Sequence, residues 1–375
     1  MGIAPVLDTL HSNALELARG REATPKNLSR LASQTSAEAA QWAFTQWTLR
    51  MLARGKFRHS NEMLFTREAL EQASHEAVAR YHASRFPDGA LVADLTTGIG
   101  SDLIALAQRG PAIGYETDAQ RANYARHNLA VHGVSAEVLE RDCMASDWPA
   151  HVWADPSRRI AGVRTLNPSN FAPAPAALAL RMRKTTLGGI KLSPMLSDDY
   201  LESLGTSLEF ISYGSECREA IVWNGEESHA GRWAVHVESG ERISAGATPR
   251  SVENPFRLIY EADGAAIRAH ALGTLCDQHG LQGLADSNGY LTSDAILHLT
   301  WLTCFERLSE PVGDIKKLHA ELRRIGAATP VIKSRASGVE VSDLAKKLRG
   351  SGRREVVVIA YASGKAIRYI VAGRR

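Results

Sequence analysis

The chain has 375 residues, of which 44% are hydrophobic and 23% are charged, the usual balance of a soluble globular protein. This length is typical of two or three domains. No apolar run approaches the ~20 residues that a membrane span needs, and the N-terminus lacks the features of a signal peptide. The four cysteines form no Cys-x-x-Cys pair, so we expect a cytoplasmic protein without a disulfide framework or structural zinc.

Residues 1–85 are predicted to form a helical N-terminal region. Apolar residues recur at helical spacing over Ala37–Leu52 and again over Thr66–Tyr81. Thr66 is a candidate N-cap for the second of these runs. Strand signals are few in this part of the chain.

Residues 86–245 are predicted to alternate between strands and helices. Helices are expected from residue 102 and over 118–132, and the predicted strands are 91–95, 112–115, 136–139, 151–154, 187–192, 208–212, 219–223 and 233–237. Such alternation is typical of a parallel sheet covered by helices. The fold class is therefore α/β, with a Rossmann-like core.

Residues 246–375 are predicted to form a smaller α+β domain, which begins near the small-residue segment 244–250. The predicted helices are 264–279, 293–306, 315–325 and 341–348, and the predicted strands are 331–334, 355–361 and 366–371. The segment 362–365 reads ASGK and indicates a hairpin turn.

Charge is distributed unevenly along the chain. Residues 311–375 contain 15 Lys or Arg and five Asp or Glu, a net charge of +10, whereas the whole chain carries +3. A basic segment of this kind is typical of a surface that faces nucleic acid. A solvated basic face without a partner is the alternative.

The loop after the first predicted strand of the core combines an acid with two glycines. The segment 94–100 reads DLTTGIG, with Asp94 at the end of the strand. Glycine permits a tight turn and lets a ligand approach the backbone. A carboxylate at this position would repel a pyrophosphate, but it suits a ligand that carries an ammonium and a sulfonium. Leu103 occupies the position at which a dinucleotide-binding motif has its third glycine. These features favour S-adenosylmethionine as the ligand.

Two further acids follow the next two predicted strands. Glu116 comes 22 residues after Asp94, at a distance typical of an acid that accepts hydrogen bonds from ribose hydroxyls. Asp142 follows the third strand, where its carboxylate could accept from an adenine amino group. Each acid taken singly is more often a helix cap or a surface charge, so the prediction depends on all three together.

Residues 63–160 resemble the class I S-adenosylmethionine-dependent methyltransferases. The segment 94–100 is similar to their first motif, and the segment VWADPSRR at 152–159 is similar to their fourth. The segment 63–68, MLFTRE, resembles the part that closes over the cofactor in several RNA-modifying members. The resemblance implies that the cofactor is bound by Phe65, Thr66, Asp94, Thr96, Gly98, Gly100, Asp102, Glu116, Asp142 and Asp155.

The resemblance also implies that catalysis involves Asp155, Pro156 and Arg158. In relatives that methylate exocyclic amines, an Asp side chain and the following Pro carbonyl accept the hydrogens of the amine, and an aromatic residue stacks on the base. Here Arg158 replaces that aromatic residue, and it could stack on a base or bind a phosphate. Enzymes that methylate uridine carbon carry a comparable Asp-Pro-x-Arg run and need a cysteine. Cys217 is the candidate, although a lone cysteine beside a strand is usually a packing residue.

The C-terminal third resembles bacterial methyltransferases with a THUMP-like domain, through the segments 258–263, 267–269 and 290–294. Together with the basic segment, this resemblance implies methylation of a base in structured RNA, tRNA or rRNA. Methylation of a protein or small molecule, and cofactor binding without turnover, remain alternatives. The 13 histidines show no metal-ligand spacing, so no metal is expected, and the oligomeric state stays open.

Overall fold

The computed structural model describes residues 7–160, 163–165, 167–286, 288–336 and 338–375. The described chain divides into two compact units. The first unit extends to Thr206 and includes Ile221–His229, and the second consists of Ser207–Ala220 and the residues from Ala230 onward. The three regions predicted from the sequence divide the chain differently, and that division stays a prediction.

The first unit begins with helices, as predicted. They are α1 (Thr9–Ala18), α2 (Pro25–Gln34), α3 (Ala37–Leu52), α4 (Arg67–Gln72) and α5 (Glu76–Ser84). The Thr66 hydroxyl accepts the backbone N–H of Ala69, so Thr66 is the N-cap of α4. The prediction of one continuous run over 66–81 is wrong, because the chain bends at 73–75 between α4 and α5. Periodicity did not reveal this bend, since each helix buries apolar residues of its own, Ala69 and Leu70 on α4 and Val78, Ala79 and Ala83 on α5.

The rest of the first unit is the predicted Rossmann-like core. Its strands are β1 (Val92–Asp94), β2 (Ala112–Tyr115), β3 (Glu137–Leu139), β4 (His151–Ala154), β5 (Arg159–Ile160), β6 (Val163–Arg164) and β7 (Leu187–Leu192). Its helices are α6 (Ser101–Ala107), α7 (Ala119–Val131), α8 (Pro175–Met182) and α9 (Asp198–Leu204). Strands β7, β4, β1, β2 and β3 lie side by side in that order, all parallel.

The register of this sheet aligns the ends of its strands. Asp94, the last residue of β1, pairs with Gly114 of β2 and with Trp153 of β4. Each of those two residues lies one position before the end of its own strand. Side chains that follow β1, β2 and β4 therefore emerge at one edge of the sheet, where α/β proteins bind their ligands.

The second unit contains β8 (Ser207–Tyr213), β9 (Glu216–Asn224, of which only the first part belongs here), β10 (Gly231–His236) and β11 (Arg242–Ser244). Its larger sheet has the order β12 (Ser251–Val252), β14 (Gln282–Leu284), β15 (Tyr290–Ser293), β13 (Leu258–Ala262), β16 (Leu302–Arg307), β19 (Ala366–Arg374), β18 (Val357–Ser363) and β17 (Val331–Ser334). The helices are α10 (Gly264–Arg268), α11 (Leu272–His279), α12 (Ile315–Ile325) and α13 (Val341–Lys347). This unit is α+β, as predicted, and Leu318, Leu322 and Leu344 anchor α12 and α13 in its core.

Two predictions for this unit are wrong. The segment 293–306 was expected to be a helix, but β15 ends at Ser293 and β16 occupies Leu302–Arg307. Strand β16 pairs with β13 on one side and β19 on the other, so partners distant in sequence satisfy its backbone and override the apparent helical spacing. The predicted helix 264–279 is two helices, separated at His270, which adopts a positive φ of 57°.

The described residues contain no helix that is long and apolar enough to cross a membrane.

Candidate active site

A cleft lies at the carboxyl edge of the parallel sheet in the first unit. The loops after β1, β2, β3 and β4 line it, and α4 and the segment at 172–173 complete its wall. The lining residues are Glu68, Ala69, Gln72, Ala73, Leu95, Thr96, Thr97, Gly98, Ile99, Ser101, Asp102, Tyr115, Glu116, Thr117, Arg121, Arg141, Asp142, Cys143, Asp155, Ser157, Ala172 and Pro173. Of the acids predicted at successive strand ends, Glu116, Asp142 and Asp155 line this cleft. Asp94 is buried and is not among the lining residues, although Leu95 and Thr96, which follow it, are.

The glycine loop forms the floor of this cleft. Gly98 has a φ of +57°, a conformation that favours glycine, and no atom lies within 4 Å of the position that a Cβ would occupy. Gly100 has a φ of +89° and is the N-cap of α6 without a side-chain bond. The loop therefore presents bare backbone and open space to a ligand.

Asp94 is the most perturbed acid of the cleft region. Its side chain is buried, and its Oδ1 accepts the backbone N–H of Thr96 at 3.1 Å. Its Oδ2 is also buried and has no hydrogen-bond partner among the described residues. Burial, with the nearby charge of Asp102, raises the pKa of Asp94 well above its ordinary value. Such a carboxylate would be stabilised by a ligand that brings a hydrogen-bond donor or a positive charge.

Glu116 and Asp142 face the same space from the neighbouring strands. Glu116 accepts the backbone N–H groups of Gly98 and Asp118, each at 2.9 Å, and pairs with Arg121 at 2.9 Å. These bonds orient its carboxylate at the end of β2. Asp142 is exposed, and its Oδ1 accepts the backbone N–H of Met144 at 2.8 Å.

Asp155, directly after β4, is held by two contacts. Its backbone N–H donates to the Thr96 hydroxyl at 2.6 Å, which ties β4 to the glycine loop. Its Oδ2 lies 2.6 Å from Nζ of Lys191 on β7. Burial raises the pKa of Asp155, although Lys191 acts in the opposite direction.

Asp102 lines the cleft, but hydrogen bonds engage both of its carboxylate oxygens. Oδ1 lies 2.7 Å from Nδ1 of His82, and Oδ2 accepts the Ser74 hydroxyl at 3.0 Å. His82 is itself stacked on the indole of Trp153, with ring centroids 4.2 Å apart. Burial acts to raise the pKa of Asp102, but His82, Lys191 and Ser74 outweigh it, and the pKa is lowered. The geometry makes Asp102 the centre of a buried network behind the cleft.

Several residues predicted to belong to the site do not line the cleft, and Asp94 and Gly100 are two of them. Phe65 is a core residue that packs on Phe57. Its backbone N–H donates to Oε1 of Gln46, and its carbonyl accepts from Nε2 of the same side chain. Thr66 is occupied as the cap of α4. Pro156 is buried and Arg158 half-buried, and neither is among the lining residues.

Cys217 belongs to the second unit. Burial raises the pKa of its thiol to about 12, so the thiol is protonated at neutral pH. That state is the opposite of what a cysteine nucleophile needs.

Lys191 is the main site residue that sequence reasoning missed. It lies in a strand, Leu187–Leu192, whose other residues are apolar or glycine. A single lysine in such a strand was the available signal, because a buried ammonium needs a buried partner. Ser74 and His82 carried no comparable signal, since their roles depend on α5 packing against α6.

The fold and this cleft define a protein of the Rossmann-like class, whose members bind ligands beside the carboxyl ends of their strands. No model of a known protein family matches this sequence. Two curated relatives, from Mycobacterium tuberculosis strains CDC 1551 and H37Rv, are each 30% identical over 335 residues, covering 86% of this chain and 92% of theirs. Both carry the description of an uncharacterized S-adenosylmethionine-dependent methyltransferase. A crystallised Porphyromonas gingivalis W83 protein, described as a methyltransferase, shares the fold over 100% of both chains, with a TM-score of 0.80 and 20% identity.

The chain belongs to the S-adenosylmethionine-dependent methyltransferases. This membership confirms the predicted enzyme class and cofactor. The site fits that cofactor for two reasons. Asp94, next to the lining residue Leu95, has a buried oxygen without a hydrogen-bond partner among the described residues, and Gly98 leaves open space above its backbone.

Proposed function

We propose that this enzyme transfers a methyl group from S-adenosylmethionine to a base in structured RNA, tRNA or rRNA. The observation that carries the proposal is the basic segment 311–375. Of its 15 Lys and Arg side chains, 14 are exposed, and the half-buried Lys333 pairs with Glu261 at 2.6 Å. Exposed cations at this density bind a phosphate backbone in a salt-dependent, sequence-tolerant manner. In this proposal residues 246–375 form a THUMP-like RNA-binding domain, residues 86–245 perform the chemistry, and residues 1–85 complete the cleft.

The cofactor is assigned to the cleft residues that follow β1, β2 and β3. Asp94 would meet the positively charged part of the ligand, which satisfies its buried Oδ2. Glu116 would accept ribose hydroxyls and Asp142 the adenine amino group, while Thr96, Gly98 and Gly100 shape the loop against the ligand. When bound, the cofactor supplies an electrophilic methyl group on a sulfonium.

The acceptor is assigned to the side of the cleft formed by Asp155 and Ser157. A base amine placed there would donate a hydrogen to the Asp155 carboxylate. Lys191 holds this carboxylate, and the Thr96 hydroxyl accepts the backbone N–H of Asp155. The cofactor would supply the methyl group to the amine nitrogen, and the Asp155 carboxylate would accept the amine proton and pass it to water. The contribution of the protein is mainly orientation of the acceptor and stabilisation of the shifting charge.

Incubation with methyl-labelled S-adenosylmethionine tests the proposal. Total RNA, DNA and a protein extract, each from cells that lack the enzyme, are offered separately to the wild type and to Asp155→Ala. The proposal requires label in RNA with the wild type and its loss with the variant. Label in protein or in small molecules would show that the acceptor belongs to one of those classes instead of RNA. Cofactor binding without transfer to any acceptor would favour a binding module instead.

A further inference from the structure

A basic recess lies outside the cleft, in the helical part of the first unit. It is formed by the segment between α3 and α4 together with the start of α5, and it has a volume of about 620 Å³. Its lining residues are Arg54, Gly55, Lys56, Phe57, Arg58, Ser60, Asn61, His75, Glu76 and Arg80. Neither the resemblance nor the proposed residue roles use any of them.

The charge of the recess is strongly positive. Four lining side chains are cationic, and Glu76 is the single acid among them. The Glu76 carboxylate is already engaged by the backbone N–H of Arg58 at 2.7 Å and by Arg80 at 2.6 Å. The guanidinium groups of Arg54 and Arg58 have no ion pair among the described residues, and both side chains are exposed. Two guanidinium groups thus line the recess without an acidic partner among the described residues.

The backbone around these arginines is held in place. Nζ of Lys56 donates to the carbonyl of Leu70 at 2.7 Å, and the carbonyl of Lys56 accepts from Glu76 N–H at 3.1 Å. Nε2 of His75 lies 2.6 Å from the carbonyl of Gly55, while its Nδ1 accepts the N–H of Ala77 at 3.1 Å.

The aromatic ring of Phe57 is also fixed, because it is buried and packs against Phe65. The recess is therefore organised before any ligand arrives, which lowers the entropic cost of binding.

The recess and the cleft share one wall, which consists of Gln72 at the end of α4 and the bend 73–75 that follows it. Gln72 and Ala73 line the cleft, whereas His75 lines the recess. Between them, the Ser74 hydroxyl contacts Asp102 at 3.0 Å and Lys191 at 3.1 Å. Because consecutive Cα atoms are about 3.8 Å apart, the Cα atoms of Ala73 and His75 lie within about 7.6 Å of each other. The lining of the cleft and the lining of the recess are therefore close neighbours along this segment.

We infer that this recess binds a backbone phosphate of the RNA acceptor, beside the nucleotide whose base enters the cleft. Arginine is suited to this task, since its planar fork donates two parallel hydrogen bonds to phosphate oxygens. The inference rests on the proposed function and gives the helical N-terminal region a role in substrate binding. It assigns Arg54 and Arg58 as the phosphate ligands.

The test compares Arg54→Ala/Arg58→Ala with the matched variant Lys26→Ala/Arg30→Ala, which removes two exposed cations from α2. Binding of a mixed-sequence RNA stem–loop is measured as a function of salt, and cofactor binding and melting temperature are measured in parallel. We expect the Arg54/Arg58 variant to bind RNA about tenfold more weakly, with a salt slope reduced by about 1. Its cofactor affinity and melting temperature, and all properties of the α2 variant, should stay at wild-type values. Arg54→Lys/Arg58→Lys should recover the salt slope but only part of the affinity, since lysine keeps the charge and loses the fork.

The inference is wrong if the Arg54→Ala/Arg58→Ala variant keeps the RNA affinity and salt slope of the wild type. It is also wrong if Lys26→Ala/Arg30→Ala weakens RNA binding by the same factor. Absence of RNA binding by the wild type would overturn it as well. The proposed function is judged separately by methyl transfer. If RNA is methylated but the Arg54→Ala/Arg58→Ala variant binds RNA as well as the wild type does, the proposed function stands and the phosphate site is wrong. If the variant binds RNA more weakly as expected but no methyl group is transferred to RNA, the phosphate site stands and the proposed function is wrong.

Discussion

The ammonium group of Lys191 lies 2.6 Å from Oδ2 of Asp155, although the two residues are 36 positions apart in the chain. Their strands, β7 and β4, are adjacent and parallel, which brings Lys191 beside the residue that follows β4. Lys191 also donates to the Ser74 hydroxyl at 3.1 Å. It thereby connects the proposed acceptor carboxylate to the bend between α4 and α5, and we assign it as a positioning residue.

Replacing Lys191 with methionine should change the pH dependence of methyl transfer. In the proposed mechanism activity requires ionised Asp155, so the rate is expected to rise with pH through the pKa of that group. Lys191 lowers this pKa against the effect of burial, and its removal should move the acid limb of the kcat profile to higher pH. At neutral pH we expect kcat to fall roughly 10- to 100-fold, the range for an impaired proton acceptor. Lys184→Met, at an exposed lysine that precedes β7, is the control, and an unmoved acid limb in Lys191→Met would contradict the assignment.

Asp94→Asn should stabilise the free protein and weaken cofactor binding. The pKa of Asp94 is raised in the folded state, so its ionisation opposes folding, and this penalty grows as the pH rises above the unfolded value of about 3.9. The neutral amide removes the penalty. It also removes the charge that we propose meets the cofactor, and we expect the affinity for the cofactor to fall about 10- to 100-fold, as for loss of a charged hydrogen bond.

Thermal melting with and without S-adenosylmethionine separates the two effects of Asp94→Asn. The free variant should melt above the free wild type, while the increase in melting temperature on adding cofactor should be smaller. An undiminished increase would show that Asp94 does not contact the cofactor.

Asp102→Asn should cost about 3–5 kcal/mol of unfolding free energy, the typical result of breaking a buried pair. Because the pKa of Asp102 is lowered, its stabilising contribution is complete above the unfolded value of about 3.9 and is lost as the pH falls through the folded value. The variant should therefore lose less of its stability on acidification than the wild type. Urea unfolding between neutral and acidic pH measures both quantities.

The exposed pair Arg126–Glu140, at 2.7 Å, provides the comparison for Asp102. Glu140→Gln should change the unfolding free energy by less than about 1 kcal/mol. Similar costs for Glu140→Gln and Asp102→Asn would mean that the buried network is not a special source of stability.

Gly98→Ala should reduce cofactor affinity more than it reduces stability. Its φ of +57° strains any other residue, but a Cβ there meets no protein atom within 4 Å, so we expect a stability loss of about 1 kcal/mol. The added methyl group points into the open space assigned to the cofactor. Gly20→Ala is a matched control, since Gly20 has a φ of +69° and equally open surroundings between α1 and α2. Calorimetric titration should show weaker cofactor binding for Gly98→Ala alone, and equal binding by both variants would exclude Gly98 from the cofactor site.

Local sequence signals were enough to predict several elements correctly. The helix Ala37–Leu52 and the strands Ala112–Tyr115 and His151–Ala154 have the predicted bounds, because apolar periodicity and caps act within a few residues. The glycine turn after β1 and the acids at or after the ends of β1, β2 and β3 were also located from the sequence. Their common edge could be predicted because the carboxyl ends of neighbouring parallel strands lie at the same edge of a sheet.

The tertiary structure alone decided which of these residues meet. The order β7, β4, β1 selects Lys191 as the partner of Asp155, and the packing of α5 on α6 places His82 and Ser74 on Asp102. It also made β16 a strand where local spacing indicated a helix. The physical reason is common to these cases. A buried charge or an unpaired backbone group is satisfied by whichever partner the fold brings near, and no short window of sequence contains that partner.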